Sequence, residues 1–171
     1  MPAMPDQNPL FEHFDHRQFR DALGRFATGI CVVSTRAGDG RTAAITVNSF
    51  SSVSLEPPLV LFCIGNSTGM YTWFSVGDRF VVNVLSEEQQ PFSNRFANSD
   101  LQEIGAGEFD GHVDDVPALA GALATLGCRV EQRITAGDHD IVLGRVERLA
   151  VSDAEGPLVY YRGGYHSLGE R

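Results

Sequence analysis

Short apolar segments set between turns bearing Gly, Pro or Asp recur along this chain, and only three short stretches repeat at helical spacing. Phe19, Ala22, Leu23 and Phe26 share one helical face, and Asp15 stands where a carboxylate caps a helix. Gly29 marks the end of that helix, and Ile30 to Val33 begin a strand at once. The Gly38-Asp39-Gly40 turn leads into a second strand over Thr42 to Phe50, which predicts a hairpin. Pro57-Pro58 interrupts the chain and launches Leu59 to Ile64, an unbroken apolar run that reads as a fully buried strand. Met70 to Ser75 predicts a short amphipathic helix and Arg79 to Leu85 another strand. Ser86 and Gln89 have capping-box spacing and open a helix running to about Ala97.

Asn98 to Val116 is rich in Gly and Asp and reads as a loop. Beyond it, Ala124, Leu126, Cys128 and Val130 alternate with Thr125, Gly127, Arg129 and Glu131, the signature of a half-buried strand. The turn Ala136-Gly137-Asp138-His139 leads into Ile141 to Ala150, and Asp153-Ala154-Glu155-Gly156 precedes a last strand, Leu158 to Tyr161. Six or seven strands, mostly hairpin-linked, with three short helices and no regular strand–helix alternation, argue against a doubly wound parallel sheet. The expectation is a mainly β domain over residues 15–171, a closed antiparallel barrel with short peripheral α-helices. Residues 1–14 are expected to form a flexible N-terminal arm.

Composition narrows the function. With 171 residues the chain can bury one core. A formal charge of −9 with no basic stripe argues against a nucleic-acid partner. No apolar run approaches the ~20 residues of a membrane span, and the N-terminus lacks a basic-then-apolar leader pattern, so a cytoplasmic protein is expected. Cys31, Cys63 and Cys128 are odd in number, far apart and set in apolar runs, which predicts buried, reduced thiols. His13 and His16 lack a third ligand, and no metal site is expected.

Three constellations offer chemistry. In Thr46-Val47-Asn48-Ser49-Phe50-Ser51-Ser52-Val53-Ser54, six of nine residues carry a hydroxyl or amide and none is charged, which suits a phosphate or a solvated strand face. Gly65-Asn66-Ser67-Thr68-Gly69 matches G-x-S-x-G, making Ser67 a candidate nucleophile with Asp138 and His139 following in hydrolase order; the short chain and missing βαβ units weigh against it. Gly137-Asp138-His139-Asp140 places an imidazole between carboxylates at a tight turn, which favours its charged form. No G-x-G-x-x-G follows a strand, so a nicotinamide would not be bound in the Rossmann manner.

Five collinear segments resemble the short-chain flavin reductases, the reductase components of two-component flavin-dependent monooxygenases. They are Phe19 to Gly29, Asn48 to Val60, Arg79 to Leu85, Gly137 to His139, and Tyr160 to Tyr165, in the family's order. The resemblance implies a Greek-key split β-barrel, a homodimer, and an NAD(P)H:flavin oxidoreductase whose reduced flavin serves a partner monooxygenase. It implies that Thr46, Val47, Asn48 and Ser49 line the isoalloxazine of FMN or FAD. Ser51, Ser52 and Val53 would hold the ribityl and phosphate end, with Cys63, Ile64, Ser67 and Thr68 opposite and Arg95 near the phosphate. Thr28 and Gly29 would flank the nicotinamide, Gly137, Asp138 and His139 would bind and orient it, and Tyr165 would join the cofactor site. His139 is the one catalytic candidate. NADH is the expected reductant ahead of NADPH, since no Arg pair marks a 2′-phosphate site. A reductase of the same fold acting on a corrinoid or iron chelate, or a non-catalytic flavin- or haem-binding protein, is the alternative.

Overall fold

A computed structural model describes residues 13–98, 100–153 and 156–169. Most of the expected arm, and Ala154 and Glu155 of the expected turn, lie outside them. The protein is mainly β: the described residues form twelve strands in antiparallel sheets and two α-helices.

Helix α1 (His16–Leu23) starts where the pattern places it. The Asp15 carboxylate accepts the Gln18 amide at 2.8 Å and the Gln18 side chain accepts the Asp15 amide at 2.9 Å, a complete capping box. The helix stops at Leu23, earlier than expected, because Gly24 and the following residues answer to a distant segment: the Arg162 amide donates to the Gly24 carbonyl. Strand β1 (Thr28–Gly29) then pairs with β11 (Val159–Tyr161), and β12 (Gly164–His166) completes this small sheet.

The main sheet holds β2 (Cys31–Arg36), β3 (Thr42–Val47), β4 (Ser51–Leu55), β5 (Pro58–Gly65), β6 (Arg79–Val84), β9 (Ala124–Ala136) and β10 (His139–Val151). Their order is β3-β2-β6-β9-β10-β5-β4, every pair antiparallel. The two edge strands, β3 and β4, are consecutive in the chain, and only Asn48, Ser49 and Phe50 join them. Such a link spans at most about 14 Å. The sheet therefore curls until its edges approach. It does not close: among the described residues no ladder joins β3 to β4, which corrects the expected closed barrel and leaves a seam.

Two further expectations change. Thr42 to Phe50 is not one strand, since the chain leaves β3 at Val47 and re-enters the sheet as β4 on the other edge. Leu59 to Ile64 is not buried on both faces: Val60, Phe62 and Ile64 are buried while Leu59, Leu61 and Cys63 are half-buried, the ordinary alternation of β5. In the main sheet the strands buried on both faces are β2 and β6. In β2, Cys31 and Val33 enter the core inside the curl, and Val32 enters a second core beneath helix α2 (Gln90–Phe96). Phe62, Phe74 and Phe80 meet edge to face at the centre of the first core, with ring centroids 5.3 to 6.1 Å apart.

The predicted Met70 to Ser75 helix is a single 3-10 turn, Tyr71–Trp73. The Ser86/Gln89 box is present, and it opens a 3-10 turn that runs on into α2. The expected loop contains the short hairpin β7 (Gly111–Val113) and β8 (Val116–Ala118). Its Gln102 to Ile104 portion lies against the edge of β3: the Ala44 amide donates to the Gln102 carbonyl and the Ile104 amide to the Thr42 carbonyl. That edge is thereby covered.

Candidate functional site

The seam between the two ends of the sheet holds a cavity of about 520 Å³. Residues 45–49, at the end of β3 and in the link to β4, form one wall; Cys63, Gly65, Asn66, Ser67 and Thr68, from β5 and the turn after it, form the other. Ala97 and Asn98 follow α2, and Asp138 and His139 come from the β9–β10 turn. The volume lies in the range of small-molecule sites. Apart from Asp138, His139 and the Cys63 thiol, no lining residue ionises.

Short hydrogen bonds hold these walls. Ser49 Oγ accepts the Cys63 amide at 2.9 Å and pins the link to β5 across the seam. Thr46 Oγ1 donates to the Ser93 carbonyl at 2.7 Å, and Ser93 Oγ lies 2.7 Å from the Tyr165 hydroxyl, so α2 and β12 support β3 from behind. The β9–β10 turn is tied to the turn after β5, where the Asn66 amide donates to the Asp138 carbonyl at 2.9 Å.

His139 Nδ1 lies 2.8 Å from Asp138 Oδ1. That hydrogen bond, with the charge attraction behind it, holds the Asp138 carboxyl below its ordinary range. The other ring nitrogen faces Gly65: a β-carbon there would sit 3.6 Å from His139 Nε2 and 3.3 Å from Thr68 Oγ1. Glycine thus keeps open the space between imidazole and hydroxyl that any larger residue would fill.

Directly after His139, Asp140 is buried, and its Oδ2 accepts from the Tyr71 hydroxyl at 3.0 Å and from Arg133 at 2.7 and 3.1 Å. Burial pushes this carboxyl up, but the Tyr71 and Arg133 bonds outweigh it and the net shift is downward. The turn that presents His139 therefore stands on a charged anchor.

Of the residues singled out from the sequence, Thr46, Val47, Asn48, Ser49, Cys63, Ser67, Thr68, Asp138 and His139 line this one cavity. Ile64 is 1% exposed and packs in the central core, because neighbours on a strand point to opposite faces. Ser51, Ser52 and Val53 lie exposed on β4 beyond the cavity. Thr28 and Gly29 belong to the small sheet, where Thr28 Oγ1 is buried without a hydrogen-bond partner. Gly137 takes a positive φ of 69° at the tip of the turn. Tyr165 borders a second cavity with Glu87, Glu88 and Leu158. The Arg95 guanidinium is engaged by Glu108, Gln102 and the Glu103 carbonyl.

Sequence reasoning missed Ile45, Gly65, Asn66, Ala97 and Asn98 as lining residues. The G-x-S-x-G match did mark Gly65 and Asn66, though for another chemistry. Ser67 follows an antiparallel strand and precedes a 3-10 turn, so it lacks the strand-to-helix elbow that exposes a nucleophilic serine.

Comparison with known proteins gives this geometry a family. A model described as flavin reductase like domain matches residues 23–169. The chain is 42% identical over 154 residues to a "probable flavin reductase" of Rhizobium meliloti (strain 1021), covering 90% of this chain and 49% of that protein, and so spans about half that relative's length. It is 38% identical over 157 residues to HsaB, the reductase subunit of a flavin-dependent monooxygenase of Rhodococcus jostii (strain RHA1), covering 92% of this chain and 80% of HsaB. Among solved structures it is similar to the NADH:FAD oxidoreductase SgcE6 of Streptomyces globisporus C-1027, determined with NAD and FAD fragments. That likeness has a TM-score of 0.79 and 31% identity over 91% of this chain and 93% of the other. The chain belongs to the flavin reductase-like family and is an NAD(P)H-dependent flavin reductase.

Proposed function

We propose that the seam cavity receives the isoalloxazine of FMN or FAD and that its His139 side receives the nicotinamide of NADH. One observation carries this reading: neutral hydroxyls and amides from Thr46, Asn48 and Ser49 share a cavity with Ser67 and Thr68, and one carboxylate-held imidazole joins them. Such a lining binds a polar, planar heterocycle through hydrogen bonds, with its one carboxylate paired to the imidazole. The space that glycine preserves at position 65 fits the same demand.

A flavin held there would supply the redox chemistry, as acceptor of a hydride from the nicotinamide. The residues of this chain bind and align. Val47 and Cys63 give apolar wall, and exposed Ser51, Ser52 and Val53 continue it along β4 toward the ribityl and phosphate end. Asp138 fixes the imidazole of His139, whose free nitrogen is placed to hold a polar group of the nicotinamide. Gly137 permits the turn that presents both. Thr28, with its unpartnered hydroxyl, and Gly29 flank the nicotinamide, and Tyr165 acts through Ser93 to hold Thr46.

The reduced flavin leaves for a flavin-dependent monooxygenase. The curled, unclosed sheet is a Greek-key split barrel, and residues 15–171 form one domain that works as a homodimer. Three cysteines held as free thiols fit a cytoplasmic location.

Anaerobic titration of protein plus FMN or FAD with NADH, followed at the flavin absorbance band, tests this reading. Stoichiometric bleaching that needs the protein is expected. His139→Ala should raise KM for NADH or slow bleaching; unchanged values for both would remove His139 from the site. A protein that binds neither flavin and leaves NADH unoxidised would sink the assignment.

A further inference from the structure

Helix α2 ends at Phe96, and the next two residues, Ala97 and Asn98, form part of the cavity wall. Both ends of this short piece are held. On the helix side Phe96 is fully buried in the second core. On the other side Leu101 lies over Gly69, so close that a β-carbon at Gly69 would come within 2.5 Å of the Leu101 amide nitrogen. Gln102 to Ile104 then run along the edge of β3 through two backbone hydrogen bonds. Residues 100–108 are thus a strap across the outside of the seam.

One side chain joins the strap to the helix. Arg95 Nε donates to Glu108 Oε1 at 3.0 Å, Nη1 to Gln102 Oε1 at 2.5 Å, and Nη2 to the Glu103 carbonyl at 3.0 Å. The guanidinium also lies 4.8 Å from the Phe96 ring centroid. Its three nitrogens are all committed to three residues of the strap, a division that the planar fork permits and an ammonium cannot copy. Glu108 is itself fixed, since its Oε2 accepts the Gly105 amide at 2.8 Å. An Arg so engaged has its charge matched by Glu108 and three of its five N–H donors used on the strap.

We propose that Arg95 is a positioning residue: it clamps strap 100–108 to α2 and thereby sets Ala97 and Asn98 in the cavity wall, without touching the flavin phosphate. The cavity's role as flavin site is taken from the reading above. A clamp acts on the wall beside the ring system, so its loss weakens every flavin alike. A phosphate ligand would instead discriminate between flavins with and without phosphate.

The test compares FMN with riboflavin, which lacks the phosphate, by quenching of flavin fluorescence. Arg95→Ala and Arg95→Lys should weaken both ligands by a common factor of about three- to tenfold. Glu108→Gln, which keeps the cation but replaces the ion pair with a weaker neutral hydrogen bond, should weaken both by a smaller common factor. Loss of FMN binding alone in Arg95→Ala, or tighter FMN binding in Glu108→Gln, would place the guanidinium on the phosphate and overturn the proposal. Amide exchange in flavin-free protein tests the clamp apart from the ligand. The Ala44 and Ile104 amides should exchange faster in Arg95→Ala than in the parent. Unchanged exchange overturns the clamp even if the cavity binds flavin, whereas faster exchange with no flavin binding in the parent sinks the flavin site and leaves the clamp standing.

Discussion

The three cysteine thiols of this chain divide between two surroundings, and their reactivity should follow. Cys31 and Cys128 are 3% and 2% exposed, and burial pushes each thiol up to about 12, with the Glu147 charge adding to the effect at Cys128. Since the thiolate is the nucleophile, both should resist alkylation at about pH 8. Cys63 is half-buried on the cavity wall, which departs from the three buried thiols expected from sequence. Iodoacetamide on the folded protein should label Cys63 first, and saturating FMN should slow that labelling several-fold. Mass spectrometry of the digested protein reads both effects, and FMN-insensitive labelling of Cys63 would argue against flavin in the seam. The type of each residue was legible in advance. Which face of β5 Cys63 would occupy was not, because an unbroken apolar run carries no alternation to read.

Among the elements, β10 shows how packing decides what a strand tolerates. Its register against β9 slips between Leu143 and Gly144, and Gly144 faces the ring of Phe80 in the central aromatic cluster. A methyl group at 144 has no room there. Gly144→Ala should cost about 1–3 kcal/mol by overpacking, read as a lower urea midpoint. Gly38→Ala, where a β-carbon meets nothing within 4 Å, is the control and should stay within about 0.5 kcal/mol of the parent. Elements with local signals were legible: the Asp15 capping box and strand β9 both appear where the sequence places them, although burial in β9 alternates only over Cys128 to Glu131. Strands β1, β4, β7, β8 and β12 were not foreseen as such. They are two to five residues long, and strands that short exist through distant partners, as β1 does through β11.

At the scale of the whole molecule, one feature stands out from ordinary burial. Helix α1 buries no residue: Phe19, Leu23 and the following Phe26 are 50%, 57% and 76% exposed, joined by Phe14 at 69%. Leu149 and Val151 at the far end of β10 are exposed as well. Apolar surface on this scale favours a second copy, in keeping with the homodimer proposed above. Sedimentation should find a dimer at micromolar concentration, and Phe26→Asp should shift it toward monomer; a parent that sediments as a monomer would refute the dimer.

The mainly β character, the Asp15 and Ser86/Gln89 capping signals and the uncharged donors over Thr46 to Ser54 are all written in local sequence, because they follow from neighbours a few residues apart. Which of those donors share a cavity depends on the folded arrangement of the sheet. The seam arises because β3 and β4, joined by three residues, sit at opposite ends of a seven-stranded order. It brings Ser49 onto Cys63 and His139 onto Gly65. Those meetings depend on strand register and sheet curvature, which are set by contacts far apart in the chain, and no local window of sequence contains them.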